Sequence, residues 1–331
     1  MSNISPLQND SNLNFWAVVL AAGEGKRLSG LTSAIYGRPL AKQFAVLDGK
    51  RSLLQHTLDR IVNIVPRRRT LVIVAEHQLS IAREQLESEP EIEIVTQPKN
   101  LDTAPGVLLP LTKIYKRDPN ARIAFLPSDH YISNPAVFVN SLRAADAAVR
   151  SHPEYITMLG VAADRAETEY GWIRPGAPLT QLKLRSTGAR RIVEFIEKPD
   201  YTTAQELYHS GCLWNTFSFV ASAPSLWNLF VTSLPGHARA FADYSRTLGT
   251  TREPQALQRI YQQLPAANCS KDVFEKAANL AVVPLIKSGW SDWGSPHRVF
   301  ESLAGTRAGL ELEERMLPRG PGVYRVLAST T

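Results

Sequence analysis

Four short apolar runs punctuate the first half of the chain: "WAVVLAA" from Trp16, "TLVIVAE" from Thr70, "IEIVTQ" from Ile92 and "RIAFLPSD" from Arg122. Between them lie "SLLQHTLDRIVNIV", "HQLSIAREQLES" and "TAPGVLLPLTKIYKR", whose apolar residues recur every three or four positions. Continuous apolar strands need cover on both faces, and strand-helix alternation supplies it, so the pattern predicts an α/β fold with a mostly parallel sheet between helices. Ligands of such sheets bind beyond the carboxyl ends of the strands. Three unusual clusters fall there: residues 23–27 after the first strand, 97–106 after the third, and Ser128-Asp129-His130 after the fourth.

From Tyr155 the rhythm changes. Further strands are expected at "YITMLGVAA", "RRIVEFIEKP" and "WNTFSFVAS", with "RPGAPL" as a turn-rich connection and a helix near "TTAQELYHSG". This predicts a second, smaller lobe. A helical stretch over 224–278 precedes the strand "LAVVPLI", expected to return to the main sheet, and one amphipathic helix is expected over 297–317. The division is therefore a disordered arm (1–14), an α/β core (15–154), a second lobe with the helical stretch and returning strand (155–296), and a C-terminal helix and tail (297–331).

Composition narrows the choice of partners. With 331 residues, 44% hydrophobic and 21% charged, the chain has the makeup of a globular protein. Its apolar runs are shorter than the roughly 18 residues of a membrane span, and its polar start lacks a cleavage-type leader, so a cytoplasmic location without membrane attachment is expected. The net charge of +6 suits small polyanions. Its bases are scattered, and the one compact run, Arg67-Arg68-Arg69, reads as a solvated loop before a strand, so nucleic acid is not expected as a partner. Cys212 and Cys269 fit neither a disulfide nor a zinc framework.

The loop after the first strand, Gly23-Glu24-Gly25-Lys26-Arg27, fails both common phosphate-loop patterns, because Leu28 stands where the dinucleotide motif needs glycine and Arg27 where the Walker motif needs a hydroxyl. What remains is G-x-G-x-R. Its glycine amides can approach phosphate oxygens, and a guanidinium able to take two of them follows.

With that loop, "AKQF", "QPKNLDTAPG", "LPSDHYI", "YGWI", "FIEKPD", "LWN" and "GWSDWGS" occur in the order found in sugar-1-phosphate nucleotidylyltransferases, over roughly residues 15 to 300. The chain resembles that family, and within it the mannose-1-phosphate guanylyltransferases most. The resemblance implies a Rossmann-like, nucleotide-diphospho-sugar transferase type of core with a sugar-binding lobe, and GTP and mannose 1-phosphate as substrates. It implies Mg²⁺ held by Asp129 and Asp292, with Arg27 and Lys42 on the triphosphate and leaving pyrophosphate. It places Ala22, Gly23, Gly25, Gln97, Thr103 and Ala104 at the nucleotide. Gly171, Glu197, Lys198 and Asn215 would take the sugar and its phosphate. Thr103 is expected to cap the following helix, and His130 to be structural.

The chemistry explains these residue types. The attacking sugar phosphate is already ionised, so the obstacle is repulsion between polyanions: about 4 kcal/mol for each pair of unit charges at 4 Å in a medium of dielectric near 20. Cations and a metal answer that obstacle. Departures from the family pattern are Ala22, Ser29-Gly30, Ala41, Leu101, Thr216-Phe217 and Trp293, and these bear on base and sugar choice. Without room for a further C-terminal module, self-association as a homodimer would use other surfaces.

Overall fold

The computed structural model describes residues 14–179 and 187–316, so the arm expected over 1–14 lies, apart from Asn14, outside the described residues. Its strands are β1 (Phe15–Leu20), β2 (Thr70–Ala75), β3 (Glu93–Gln97), β4 (Arg122–Pro127), β5 (Tyr131–Ile132), β6 (Ile156–Ala162), β7 (Gly171–Pro178), β8 (Arg190–Glu197), β9 (Leu213–Ser222), β10 (Leu280–Pro284) and β11 (Trp290–Ser291). Nine of them form one sheet in the order β3-β2-β1-β4-β9-β6-β10-β8-β7, and β5 pairs with β11 in a two-stranded sheet. The fold is the expected α/β one, with helices packed around a mixed sheet.

Parallel pairing is confined to β3-β2-β1-β4 and to β6 with β10; β9 runs antiparallel to β4, β6 and β7. β1 and β2 are buried almost throughout, as strands covered on two sides must be. The boundary expected at 154/155 falls inside this continuous sheet. One core cluster joins β1, β4, β6 and β9 to the helices Thr103–Arg117, Ala223–Ser233 and Pro235–Ser245. A second lies on the other face with the helices Leu53–Ile61 and Pro135–Ser151. "LAVVPLI" does return to the sheet, as β10 beside β6.

Two local expectations are corrected. "RPGAPL" is not a turn: β7 runs through Pro178, and its prolines sit at register shifts, where a missing N–H costs no ladder bond. The single helix expected over 297–317 is two, Pro296–Leu303 and Arg307–Met316, broken at Gly305, whose φ of 70° ends the first turn, and restarted by Thr306, which accepts the Gly309 N–H. Both pack with Leu28, Leu31 and Trp293, so the C-terminal helices buttress the segment after the glycine loop. Leu317 lies outside the described residues. Among the described residues no helix is long and apolar enough to cross a membrane.

Candidate active site

The glycine loop is held from behind by two glutamines. Gln43 Nε2 donates to the carbonyls of Ala21 (2.7 Å) and Gly23 (2.8 Å), and Gln78 Nε2 to Gly23 (3.0 Å). Ala22 and Gly23 face a cavity of about 480 Å³ at the carboxyl ends of the strands. Gly25 is left-handed, φ 62°, and a Cβ there would lie 2.7 Å from the Lys42 nitrogen. Only glycine lets the loop and the Lys42 segment meet.

The opposite wall carries Gln97, Asn100, Asp102, Thr103, Gly106 and Phe217. Gln97 Oε1 accepts from the Tyr261 hydroxyl at 3.0 Å, and the amide lies against the bare Cα of Gly106. Thr103 is not the helix cap. Asp102, at φ 67°, takes the Thr103 N–H on its carboxylate (2.6 Å), while Thr103 Oγ1 accepts the Cys269 N–H (2.8 Å). Ala104 is fully buried with its N–H given to the Ala267 carbonyl, so it backs this wall where a contact with nucleotide was expected. Leu101 is buried in the main core.

Asp129 and Asp292, remote in sequence, are brought together by β5 and β11. The antiparallel register Ser291↔Tyr131 continues toward His130 and Asp129 on one strand and Asp292 on the other. Lys42 joins them. Its ammonium pairs with Asp129 Oδ2 at 3.1 Å and donates to the carbonyls of Asp292 and Trp293, the latter at 3.4 Å. It is 6% exposed and lies beside the glycine loop. Arg27 differs: its side chain is 62% exposed and reaches Asp292 Oδ2 at 3.5 Å.

Asp292 Oδ1 accepts from the Tyr170 hydroxyl (2.5 Å), Arg298 (2.8 Å) and the Gly294 N–H (2.9 Å). Arg298 also donates to the Tyr170 hydroxyl and pairs with Glu167. Burial opposes charge on Asp292, but Lys42, the Tyr170 hydroxyl and Arg298 outweigh it and hold the carboxyl at about 2. Burial opposes charge on Asp129 too, and Lys42 again wins, keeping it below the usual carboxylate value. Burial and Asp292 push the Tyr170 phenol upward, so it remains a donor. His130 is pushed down to about 4, chiefly by burial, and accepts the Trp290 indole N–H on Nδ1 (3.2 Å), the structural role expected of it. Glu167 and Arg298 carry no motif-level signal as site residues, and Tyr170 stood within "YGWI" without a role; only folding brings them to Asp292. Gln43 stood in view within "AKQF", but nothing in the sequence pattern assigned it to the loop carbonyls.

The third group lies where β7, β8 and β9 meet. Gly171 pairs with Glu197 across β7 and β8. A Cβ on Gly171 would lie 2.6 Å from Glu197 Oε2 and 3.3 Å from the Asn215 Cβ, so the glycine opens space between the two side chains. Burial raises the Glu197 pKa, partly offset by Lys198 and Ser270. Lys198, exposed and at φ 50°, pairs with Glu169 at 3.4 Å and gives its N–H to the Tyr170 carbonyl. It is tied to this group through the backbone and lies outside the Lys42 network.

Beside Asn215 the ladder between β6 and β9 is bulged. Phe217 there has φ 54°, a conformation costing a side-chain-bearing residue roughly 1–2 kcal/mol. Three bonds enforce it: Phe217 N–H to Asn215 Oδ1 (2.9 Å), the Thr216 hydroxyl to the Leu159 carbonyl (2.7 Å), and Ser218 N–H to Thr216 Oγ1 (3.2 Å). Asn215 thus keeps its NH₂ as the group left to offer, while Glu197 supplies acceptors.

The donor set suits a hard divalent cation shared with a ligand. Asp129 and Asp292 are both held ionised, and each has one oxygen without a close bond: Asp129 Oδ1 lies 3.9 Å from His130 Nε2 and Asp292 Oδ2 3.5 Å from Arg27. Among the described residues no three His, Cys, Asp or Glu side chains cluster as a full protein cage. Two carboxylates with the remainder from phosphate and water is the usual magnesium arrangement.

Known proteins resemble this chain in sequence and in fold. A mannose-1-phosphate guanylyltransferase of Salmonella montevideo is 29% identical over 290 residues, 86% of this chain and 59% of that protein. The xanthan biosynthesis protein XanB of Xanthomonas campestris pv. campestris is 30% identical over 286 residues, 84% of this chain and 57% of that one. The chain thus spans less than two thirds of the length of these relatives. The crystal structure of a mannose-1-phosphate geranyltransferase from Thermus thermophilus superposes with a TM-score of 0.75 at 30% identity, covering 88% of this chain and 80% of that one. The inositol-1-phosphate CTP transferase of T. maritima, at 16% identity and TM-score 0.53, covers 89% and 98% and shares the fold. Residues 16–307 match the model of the nucleotidyl transferase family, and the chain belongs to that family.

Proposed function

We propose that the protein joins GTP and mannose 1-phosphate to GDP-mannose and pyrophosphate, the sugar phosphate attacking the α-phosphorus in line. The observation that carries this reading is the meeting of Asp129 and Asp292 on Lys42, beside a cavity walled by the glycine loop. Relatives named as mannose-1-phosphate guanylyltransferases support the choice of substrates.

In this mechanism the loop amides at Ala22 and Gly23 and the exposed guanidinium of Arg27 receive the triphosphate. Lys42 acts as a positioning residue, because its ammonium is already committed to Asp129 and to two carbonyls of the Asp292 loop. Gln97 and Thr103 address the base from the far wall. Glu197 and the Asn215 NH₂ hold sugar hydroxyls beside Gly171, and Lys198 neutralises the sugar phosphate. A magnesium ion held by Asp129 and Asp292 would supply charge neutralisation at the phosphates. Orientation of both polyanions by fixed groups does the remaining work, and no general base is needed.

A second reading keeps the reaction and changes the pair, for example glucose 1-phosphate with UTP or dTTP. The burial of Leu101, where the guanylyltransferases carry arginine, favours keeping it in view. The test is a matrix of nucleoside triphosphates against mannose, glucose and N-acetylglucosamine 1-phosphates with Mg²⁺, read as pyrophosphate release. GTP with mannose 1-phosphate is expected to turn over fastest. Preference for another pair selects the second reading, and tight GDP-mannose binding without any turnover would mark a regulatory relative.

A further inference from the structure

Phe217 is an aromatic residue in a backbone conformation that glycine adopts freely, and the bulge spends three hydrogen bonds keeping it there. Strain of this kind persists where surroundings over-determine it, and the ring it aims here is part of the cleft. Phe217 lines the same cavity as Gln97 and Thr103, while its own N–H is bonded to the Asn215 side chain. Its ring is the half-buried end of an aromatic floor. Phe217 meets Phe219 at 5.9 Å and Phe274 at 6.2 Å; Phe274 meets Phe195 at 6.1 Å, and a Cβ on Gly171 would lie 3.2 Å from Phe195. The floor thus runs from the nucleotide cavity to the group formed by Gly171, Glu197 and Asn215.

We propose that Phe217 determines sugar specificity: its ring fills the space beside Asn215 into which a bulky ring substituent would project, so the site takes compact hexose 1-phosphates and rejects those carrying an acylamino group. This inference rests on the sugar-phosphate reading above. It needs the ring in one place: the bulge fixes where the side chain leaves the backbone, and packing on Phe219 and Phe274 restrains the ring itself.

The experiment compares wild type with Phe217→Gly and Phe217→Ala, measuring kcat/KM for mannose 1-phosphate, glucose 1-phosphate and N-acetylglucosamine 1-phosphate with GTP, UTP and dTTP in turn. Both variants are expected to raise the N-acetylated-to-plain ratio by roughly tenfold or more with whichever nucleotide turns over. Should Phe217→Ala melt near the assay temperature, Phe217→Gly, whose backbone suits φ 54°, carries the comparison. An unchanged ratio in folded Phe217→Gly overturns the proposal, as does a change confined to nucleotide preference. Wild-type turnover with any hexose 1-phosphate leaves the parent reading standing whatever the ratio does. Absence of wild-type turnover with every pair removes both.

Discussion

The two halves of the cleft are built in different ways. Around Asp292 the side chains hold one another: Lys42, Tyr170 and the half-buried Arg298 and Glu167 form one polar network around the buried carboxylate. Around Gly171 the backbone does the holding, through sheet pairing, a bulge and a glycine gap, and Glu197 and Lys198 have groups to spare for a ligand. The first arrangement fixes charge before substrate arrives, as electrostatic catalysis requires. The second fixes shape and leaves hydrogen-bonding groups for a ligand, a sugar on the proposed reading. The lesson is that stability and function are fused in one half and separable in the other.

Asp292→Ala should break this contrast most visibly if it is wrong. It strips Arg298 and the Tyr170 hydroxyl of a buried partner, so turnover is expected to fall by at least roughly 10²–10³ and stability by about 3–5 kcal/mol, read by pyrophosphate release and denaturant unfolding. Asp129→Ala should lose comparable activity with a smaller stability loss, because Asp129 is partly exposed and has one close ion pair. Equal stability losses would erase the distinction between them.

The two cations sharpen it next. Lys42→Met should lower turnover about 100-fold and the melting temperature with it, whereas Arg27→Ala should lower turnover while stability stays within about 0.5 kcal/mol, its side chain being largely exposed. A melting shift for Arg27→Ala as large as that for Lys42→Met would contradict the assignment of Lys42 to positioning. On the sugar side, Lys198→Ala should raise the KM for sugar phosphate about tenfold without changing the melting temperature. Unchanged affinity would remove Lys198 from the site.

The smallest effect, and the one of opposite sign, concerns Glu197. Its carboxyl is raised in the folded protein, so folding favours the protonated form; that contribution is complete below the ordinary carboxylate value and is lost as pH rises through the raised one. Glu197→Gln should therefore stabilise the free protein at neutral pH, by an amount that shrinks toward pH 4, while weakening sugar phosphate severalfold. A melting gain independent of pH would show that the carboxyl's charge is not its cause.

The sheet was legible because β1, β2 and β4 are apolar on both faces, a signal no surface element imitates. Asp129, Asp292, Glu197 and Asn215 were legible as motif residues. Their grouping was not, since it depends on β5 meeting β11 and on the β7–β8 register. Thr103 misled because the cap fell to Asp102, which adopts a positive φ that sequence pattern does not announce. Arg298 and Tyr170 were invisible as partners because a buried network is a property of several distant segments at once. Trp293, a departure from the family pattern, stacks on Tyr131 at 4.6 Å, packs with Leu28 and Leu31, and borders the cavity lined by Arg27, Lys42 and Asp129.

β9 binds three neighbours, β4, β6 and β7, and so belongs to both sides of the cleft. A strand shared in this way works as a rivet. Hinge closure of one side over the other would have to tear its ladder, so on the proposed reading the exchange of ligands would fall to rotating side chains and to connecting segments such as the one bearing Asp292. Amide hydrogens along β9 should accordingly exchange at the pace of whole-molecule opening, while those near Gly289 and Gly294 exchange sooner.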